Sequence, residues 1–170
     1  NYTYDFSYDD EVICGNTRPK IEGVVGTSLN WKGLSLSLNF RYQLGADVFN
    51  EALFNKVENI STEGLNKNQD KRALYERWQK AGDIVRFKNI ANAASTPMSS
   101  RFVQEENVLT LESVYLGYEF YDGWIQKLGL SNLKLQVSMR DVFRASSIKS
   151  ERGISYPFAR SLEAGLSFNF

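Results

Sequence analysis

Histidine is absent from this 170-residue chain, and cysteine occurs once, at Cys14. Without histidine the commonest general base and the usual zinc ligand are missing, so we expect no enzyme activity, no metal site and no cofactor. A single cysteine excludes an internal disulfide. The 20 basic and 20 acidic side chains balance, and no basic run with interleaved aromatics predicts a nucleic-acid partner. The acidic residues 9–11 lack calcium-loop spacing and are interpreted as a solvated loop.

Long apolar runs are also missing. No run approaches the ~20 residues that a membrane helix needs, and the mean hydropathy is −0.38. Proline is scarce, with 3 residues, whereas aromatic residues make up 14% of the chain. These values do not exclude a membrane β-barrel, because its strands are only half apolar.

Residues 160–170 alternate strictly between apolar and polar or small side chains. The apolar positions are Leu162, Ala164, Leu166, Phe168 and Phe170. Such alternation predicts a strand whose two faces meet different environments. An exposed apolar strand invites aggregation in a soluble domain, whereas lipid and neighbouring strands cover it in a membrane barrel.

The same pattern recurs elsewhere, and we predict antiparallel strands at 21–31, 34–44, 108–121, 132–143 and 160–170. The pair Lys32-Gly33 predicts a two-residue hairpin turn. A strand the length of 21–31 extends ~36 Å. Tilted by ~40°, it covers ~28 Å of height, and the apolar band of an outer-membrane barrel is ~25 Å tall. A soluble β-sandwich or lipocalin-like barrel stays open, because alternation does not say which face meets lipid.

The predicted fold class is all-β: an antiparallel transmembrane β-barrel segment of about five strands. Five strands cannot close, so the remainder of the same barrel must complete the wall. Short turns at 32–33 and 122–131 are assigned to the periplasm, and 1–20, 45–107 and 144–159 to extracellular loops. The loop 45–107 is predicted to be partly helical, at 50–59 and 70–80.

Alternation also assigns side chains to the barrel interior and to its rims. Predicted aromatic rims contain Trp31, Tyr118, Phe120, Phe168 and Phe170 at one end, and Phe40, Tyr42 and Phe143 at the other. Tyr75, Trp78, Tyr115 and Trp124 are aromatic candidates either for sugar stacking or for girdle and buried positions. The lumen-facing candidates are Asn39, Arg41, Glu119, Gln136, Ser138, Arg140 and Glu163.

A series of stretches occurs in order along the chain: 15–23 (GNTRPKIEG), 42–49 (YQLGADVF), 77–83 (RWQKAGD), 100–103 (SRFV), 116–119 (LGYE), 146–153 and 156–161. In order and spacing they resemble the C-terminal barrel of the SusC/RagA family of TonB-dependent outer-membrane transporters. The resemblance runs from about residue 15 to the C-terminus. It implies that residues 21–170 are C-terminal barrel strands and that the protein lies in the bacterial outer membrane.

The resemblance further implies import of glycans or peptides, together with a SusD-like surface lipoprotein that closes over the barrel. TonB would act through an N-terminal part that this chain does not contain. The loop residues Tyr75, Arg77 and Trp78 are candidates for the lipoprotein contact, and the terminal aromatics Phe168 and Phe170 are similar to the family's assembly signal. A passive or structural barrel, such as a porin or an adhesin anchor, remains the alternative.

Overall fold

The computed structural model of the chain describes residues 7–121, 123–149 and 160–170. Its main feature is one five-stranded sheet in which strands that follow one another in sequence lie side by side. The strands are β1 (Ile21–Trp31), β2 (Leu34–Phe49), β3 (Val103–Phe120), β4 (Asn132–Ser146) and β5 (Ser161–Asn169). The prediction of five antiparallel strands in an unclosed sheet is therefore confirmed.

The three inner strands are all longer than alternation predicts, and β4 continues to Ser146 rather than ending at residue 143. β2 continues to Phe49 rather than ending at residue 44, and β3 begins at Val103 rather than at residue 108. Alternation ends at Gly45, which has a φ of 75°, but pairing continues beyond it. The Asn50 N–H donates to the carbonyl of Phe102 at 2.8 Å. The connection predicted at 45–107 is correspondingly shorter, because backbone pairing rather than side-chain pattern sets these strand ends.

The hairpin between β1 and β2 turns at the predicted pair. Lys32 and Gly33 have φ values of 48° and 86°, which is the conformation of a type I′ turn. Its twist matches that of the two strands, so the register is regular from Trp31, opposite Leu34, to Ile21, opposite Leu44.

β4 contains a β-bulge. Arg140 lies opposite Ser113 and Phe143 opposite Leu111, so a step of two residues in β3 matches a step of three in β4. Asp141, with a φ of 50°, lies within the bulge. The extra residue shifts the alternation by one. Phe143 is therefore out of phase with the apolar residues before the bulge, and its predicted place in an aromatic rim is wrong.

The connection between β2 and β3 is partly helical, as predicted. Its helical segments are α1 (Glu51–Leu53), a π-helical stretch (Phe54–Glu58), a 3₁₀ turn (Thr62–Asn66), α2 (Lys71–Tyr75) and a 3₁₀ turn (Ser100–Phe102). α2 is shorter than the predicted 70–80. Asp70 caps its start by accepting from the Arg72 N–H, and Arg77 forms a β-bridge with Phe87 that takes the backbone out of the helix.

Two smaller helical segments lie elsewhere. The predicted turn 122–131 contains α3 (Gly123–Gln126), and Tyr8–Asp10 forms a 3₁₀ turn that includes the exposed Asp9 and Asp10. β4 takes up 144–146 of the predicted loop 144–159, and 150–159 of that loop lie outside the described residues, as do 1–6 of the predicted loop 1–20. Within the described ranges no helix is long and apolar enough to cross a membrane.

The chain divides into two compact units. The sheet unit comprises the described residues of 19–46, 106–147 and 160–170, and the loop unit those of 7–18, 47–105 and 148–149. The loop unit has its own apolar core, which contains Leu53, Val57, Phe87 and Phe102, with Phe49 and Phe54 packed against it. The rings of Phe49, Phe54 and Phe102 contact one another edge-on or tilted, with centroids 5.1 to 5.9 Å apart.

Candidate functional site

The register of the sheet unit brings the predicted lumen-facing residues onto one face. Gln136 lies opposite Gly165 on β5, and Ser138 lies opposite Glu163. Directly opposite residues share a face, and so do residues two apart along a strand. Arg140 lies on this face because it is two residues after Ser138. Glu119 lies there too, because it pairs with Lys134, which is two residues before Gln136. The polar face of the sheet thus includes all of these predicted residues.

Asn39 and Arg41 belong to this polar face through β2. The Asn39 amide donates to the Ser113 hydroxyl at 2.9 Å, and Ser113 pairs with Arg140. Arg41 alternates with Asn39 and donates from Nε to the Glu112 carboxylate at 2.5 Å. The structure thus places the seven candidates on one side of the sheet. That this side faces a barrel lumen remains a prediction.

Cross-strand hydrogen bonds order the polar face. Tyr115 Oη donates to the Gln136 side-chain oxygen at 3.3 Å, and Ser138 Oγ to the Glu163 carboxylate at 3.4 Å. The Asn132 amide donates to Glu119 at 2.8 Å. The result is a surface of hydroxyl, amide and charged groups that can hydrogen-bond a solute.

Large side chains on the polar face lie over neighbouring glycines. A Cβ at Gly117 would come within 2.8 Å of the Tyr115 hydroxyl, and one at Gly165 within 2.8 Å of the Gln136 amide. The absence of side chains at these two positions therefore leaves the space that the ends of the Tyr115 and Gln136 side chains occupy on the polar face.

The opposite, apolar face carries exposed aromatic residues at one end. Phe120 and Phe168 both lie beside Leu133 of β4. The ring centroids of Phe120 and Trp124 are 5.8 Å apart, and those of Phe168 and Phe170 are 5.6 Å apart. Phe170 is 88% exposed. The aromatic residues thus cluster where the predicted rim lies, while the assembly role of Phe168 and Phe170 stays a prediction.

The loop unit contains a buried ionic cluster around Glu58. The carboxylate accepts from Thr96 Oγ1 at 2.7 Å, from the Arg101 guanidinium at 2.8 Å and from the Lys88 N–H at 3.4 Å. Burial raises the pKa of the Glu58 carboxyl, but the hydrogen bonds from Thr96 and Arg101 and the charge of Arg101 together hold that pKa below its ordinary value.

Arg77, a predicted partner-contact residue, lies in the interior of the loop unit. It is 4% exposed, and its guanidinium donates to the carbonyl oxygens of Val57, Glu58 and Asn89. Burial lowers the pKa of Arg77, whereas the nearby Glu58 opposes that effect. Arg77 therefore ties three loop segments together and offers little surface to a partner.

The two aromatic neighbours of Arg77 are exposed. Tyr75 is 73% and Trp78 40% exposed, and Leu74 beside them is exposed as well. These residues stay candidates for a partner contact. Sequence reasoning identified them by residue type, but it missed Glu58, whose only local signal is a carboxylate next to the apolar residues of a helical stretch.

Within 7–121, 123–149 and 160–170, no group of three or more acidic or cysteine side chains lies close enough to hold a metal ion. The chemistry available is hydrogen bonding and charge on the polar face of the sheet, and apolar and aromatic contact on the loop unit.

No protein-family model matches the chain. The chain is similar to a TonB-dependent receptor of Formosa agariphila, with 25% identity over 146 residues that cover 82% of this chain and 14% of the receptor. Among solved structures it is similar to the RagAB peptide importer in its open-open state, with a TM-score of 0.75 and 21% identity over 99% of this chain and 19% of that one.

The same importer in its closed-closed state gives a TM-score of 0.72 and 22% identity, over the same shares of the two chains. At these identities the structural likeness shows the fold. Together with the receptor, it confirms the resemblance to SusC/RagA-type TonB-dependent transporters that the sequence motifs predict. The chain spans less than a fifth of the length of these relatives.

Proposed function

We propose that this chain is the C-terminal wall segment of a TonB-dependent outer-membrane transporter that imports peptides or glycans. The observation that carries the proposal is the five-stranded antiparallel sheet, which matches the RagAB peptide importer along 99% of the chain. In this function the apolar face contacts lipid, the polar face lines the transport path, and the remainder of the barrel pairs with the edges of β1 and β5.

Several features of the chain support transport rather than catalysis. The polar face presents a mixture of acidic, basic and amide side chains, among them Glu163, Arg140 and Gln136, which suits a wet passage. Both similar proteins are named as a receptor or an importer. Neither is named as a porin or an adhesin anchor, so the passive alternative has no support from them.

The decisive experiment measures uptake with and without TonB. Cells that carry the intact protein are supplied with fluorescent short peptides and, separately, with fluorescent oligosaccharides. Uptake of one class should require both the protein and TonB, and that class identifies the cargo. Uptake that persists after TonB is removed would mean a passive barrel and would refute the proposal.

The partner in the proposed function is a SusD-like surface lipoprotein bound by the loop unit. Replacing both Tyr75 and Trp78 by alanine should weaken its co-purification by about thirtyfold, since truncating aromatic anchors of an interface costs about 2 kcal/mol or more. Leu128→Ala is the control, because the exposed fraction of Leu128 lies between those of Trp78 and Tyr75, but Leu128 lies in the predicted periplasmic turn. If Leu128→Ala weakens the partner as much as the double variant does, the loop unit is not the docking surface.

A further inference from the structure

The stretch 90–101 of the loop unit is held to the rest of the unit almost without apolar contact. Every residue in it is exposed apart from Thr96, which is half-buried. Ile90 and Met98, the larger apolar residues, are 54% and 66% exposed. The core residues on either side of the stretch are Phe87 and Phe102, and none lies within it. We call residues 90–101 the strap. Few buried apolar contacts mark a segment that can open locally.

Two consecutive residues, Glu58 and Asn59, fasten the strap at Thr96. The Thr96 hydroxyl donates to the Glu58 carboxylate at 2.7 Å. The Thr96 N–H donates to Asn59 Oδ1 at 2.8 Å, and the Thr96 carbonyl accepts from the Asn59 amide at 2.9 Å. The hydroxyl, N–H and carbonyl of Thr96 are thus all bound by these two side chains.

The other charged groups that face Glu58 are all basic. Arg101, at the end of the strap, forms an ion pair with Glu58 at 2.8 Å and stacks over Phe102. Lys88 donates its ammonium group to Asn59 Oδ1 and to Thr96 Oγ1, both at 3.2 Å. Arg77 donates to the Glu58 carbonyl at 3.3 Å. Glu58 is the acidic member of this cluster, so loss of its charge leaves the three cations without their counter-ion and turns the charged acceptor of Thr96 into a weaker, neutral one.

We propose that Glu58 and Asn59 form a charge-dependent latch for the strap, and that neutralising the Glu58 carboxylate releases residues 90–101 while the apolar core of the loop unit stays folded. Arg101, at the end of the strap, also donates to the Arg86 carbonyl at 3.2 Å, but this hydrogen bond is exposed and can be exchanged for one to water. This proposal about the loop unit does not depend on which cargo or partner the protein has.

The pKa of Glu58 determines whether lowering the pH opens or closes the strap. Its pKa is lowered in the folded protein, so its contribution is complete above the ordinary carboxyl value of about 4.3 and disappears as the pH falls through the lower folded value. The strap is therefore closed at neutral pH and opens in acid.

Hydrogen–deuterium exchange on the intact purified protein tests the latch. In Glu58→Gln and in Thr96→Val, exchange of amides in 90–101 should accelerate about ten- to hundredfold at pH 7. Thr96→Val removes the hydrogen bond to the carboxylate, and Glu58→Gln removes the charge that strengthens that bond and pairs with Arg101. Amides of the segment Leu53–Val57 report on the core and should change little. Glu63→Gln is the matched control, since Glu63 is exposed and lies in the same connection. Thr96→Ser keeps the hydroxyl and should behave as wild type.

Each outcome decides the proposal. Faster exchange confined to 90–101 in both variants at pH 7 supports the latch. In acid, with each rate compared with the intrinsic exchange rate at the same pH, wild-type protein should lose the same protection there and Glu58→Gln should lose no more. Unchanged exchange in both variants would overturn it. Exchange that accelerates equally at Leu53–Val57 would also overturn it, because Glu58 would then stabilise the whole loop unit rather than the strap.

Discussion

Placing a charge on one face of β2 tests which face meets lipid. Leu38 lies on the apolar face opposite Thr27, and its neighbour Ser37 lies on the polar face opposite Ser28. The two residues differ in height by one step of the strand. Leu38→Arg and Ser37→Arg therefore introduce the same side chain at nearly the same depth, on opposite faces of the sheet.

The expected cost follows from the depth of Leu38. It is four residues after Leu34, where β2 begins, or ~13 Å along the strand and ~10 Å in height at a tilt of ~40°. Half of a ~25 Å apolar band is ~12 Å, so Leu38 lies near the centre of the membrane. An arginine there costs about 2–4 kcal/mol, a factor of about 30 to 1,000 in the folding equilibrium. Ser37→Arg should stay within about 0.5 kcal/mol, because Ser28 opposite is small.

The assay is the folded fraction of the intact barrel in lipid vesicles, measured by urea titration and by heat-dependent gel mobility. We expect Leu38→Arg to shift the midpoint strongly and Ser37→Arg to leave it nearly unchanged. Equal shifts for the two variants, or a larger shift for Ser37→Arg, would show that the apolar face does not contact lipid. The sheet would then be a soluble one with its apolar face turned inward.

Two further predictions concern the ends of strands. Deleting Phe170, which is paired edge-on with Phe168, should reduce surface-exposed protein much more than uptake per assembled barrel; normal surface levels with lost uptake would instead place Phe170 in the transport path. Gly33→Ala should destabilise the barrel by more than 1 kcal/mol, roughly, because Gly33 has a φ of 86° and its Cβ would meet the Glu119 carbonyl. Lys32→Asn at the adjacent position, with a φ of 48°, should be tolerated, because asparagine readily adopts a positive φ. Similar losses of stability for both variants in urea titration would contradict this account of the turn.

The local pattern of the sequence determined the number, order and faces of the strands. Alternation such as that from Leu34 to Tyr42 depends only on neighbours along the chain, and a strand that pairs regularly keeps it. The hairpin at Lys32-Gly33 was predictable for the same reason, since two residues fix its turn type. The placement of Gln136, Ser138 and Glu163 on one face follows directly from the alternation.

Tertiary structure decided what depends on partners far away in the chain. Pairing at the end of β2 continues past Gly45, since the Asn50 N–H donates to the Phe102 carbonyl, and one extra residue in β4 reverses the phase of Phe143. Arg77 is buried because carbonyls about 20 residues earlier surround its guanidinium. The latch at Glu58 needs Thr96, 38 residues later. A sequence pattern records periodicity along the chain, and it holds no information about which distant donor meets which acceptor.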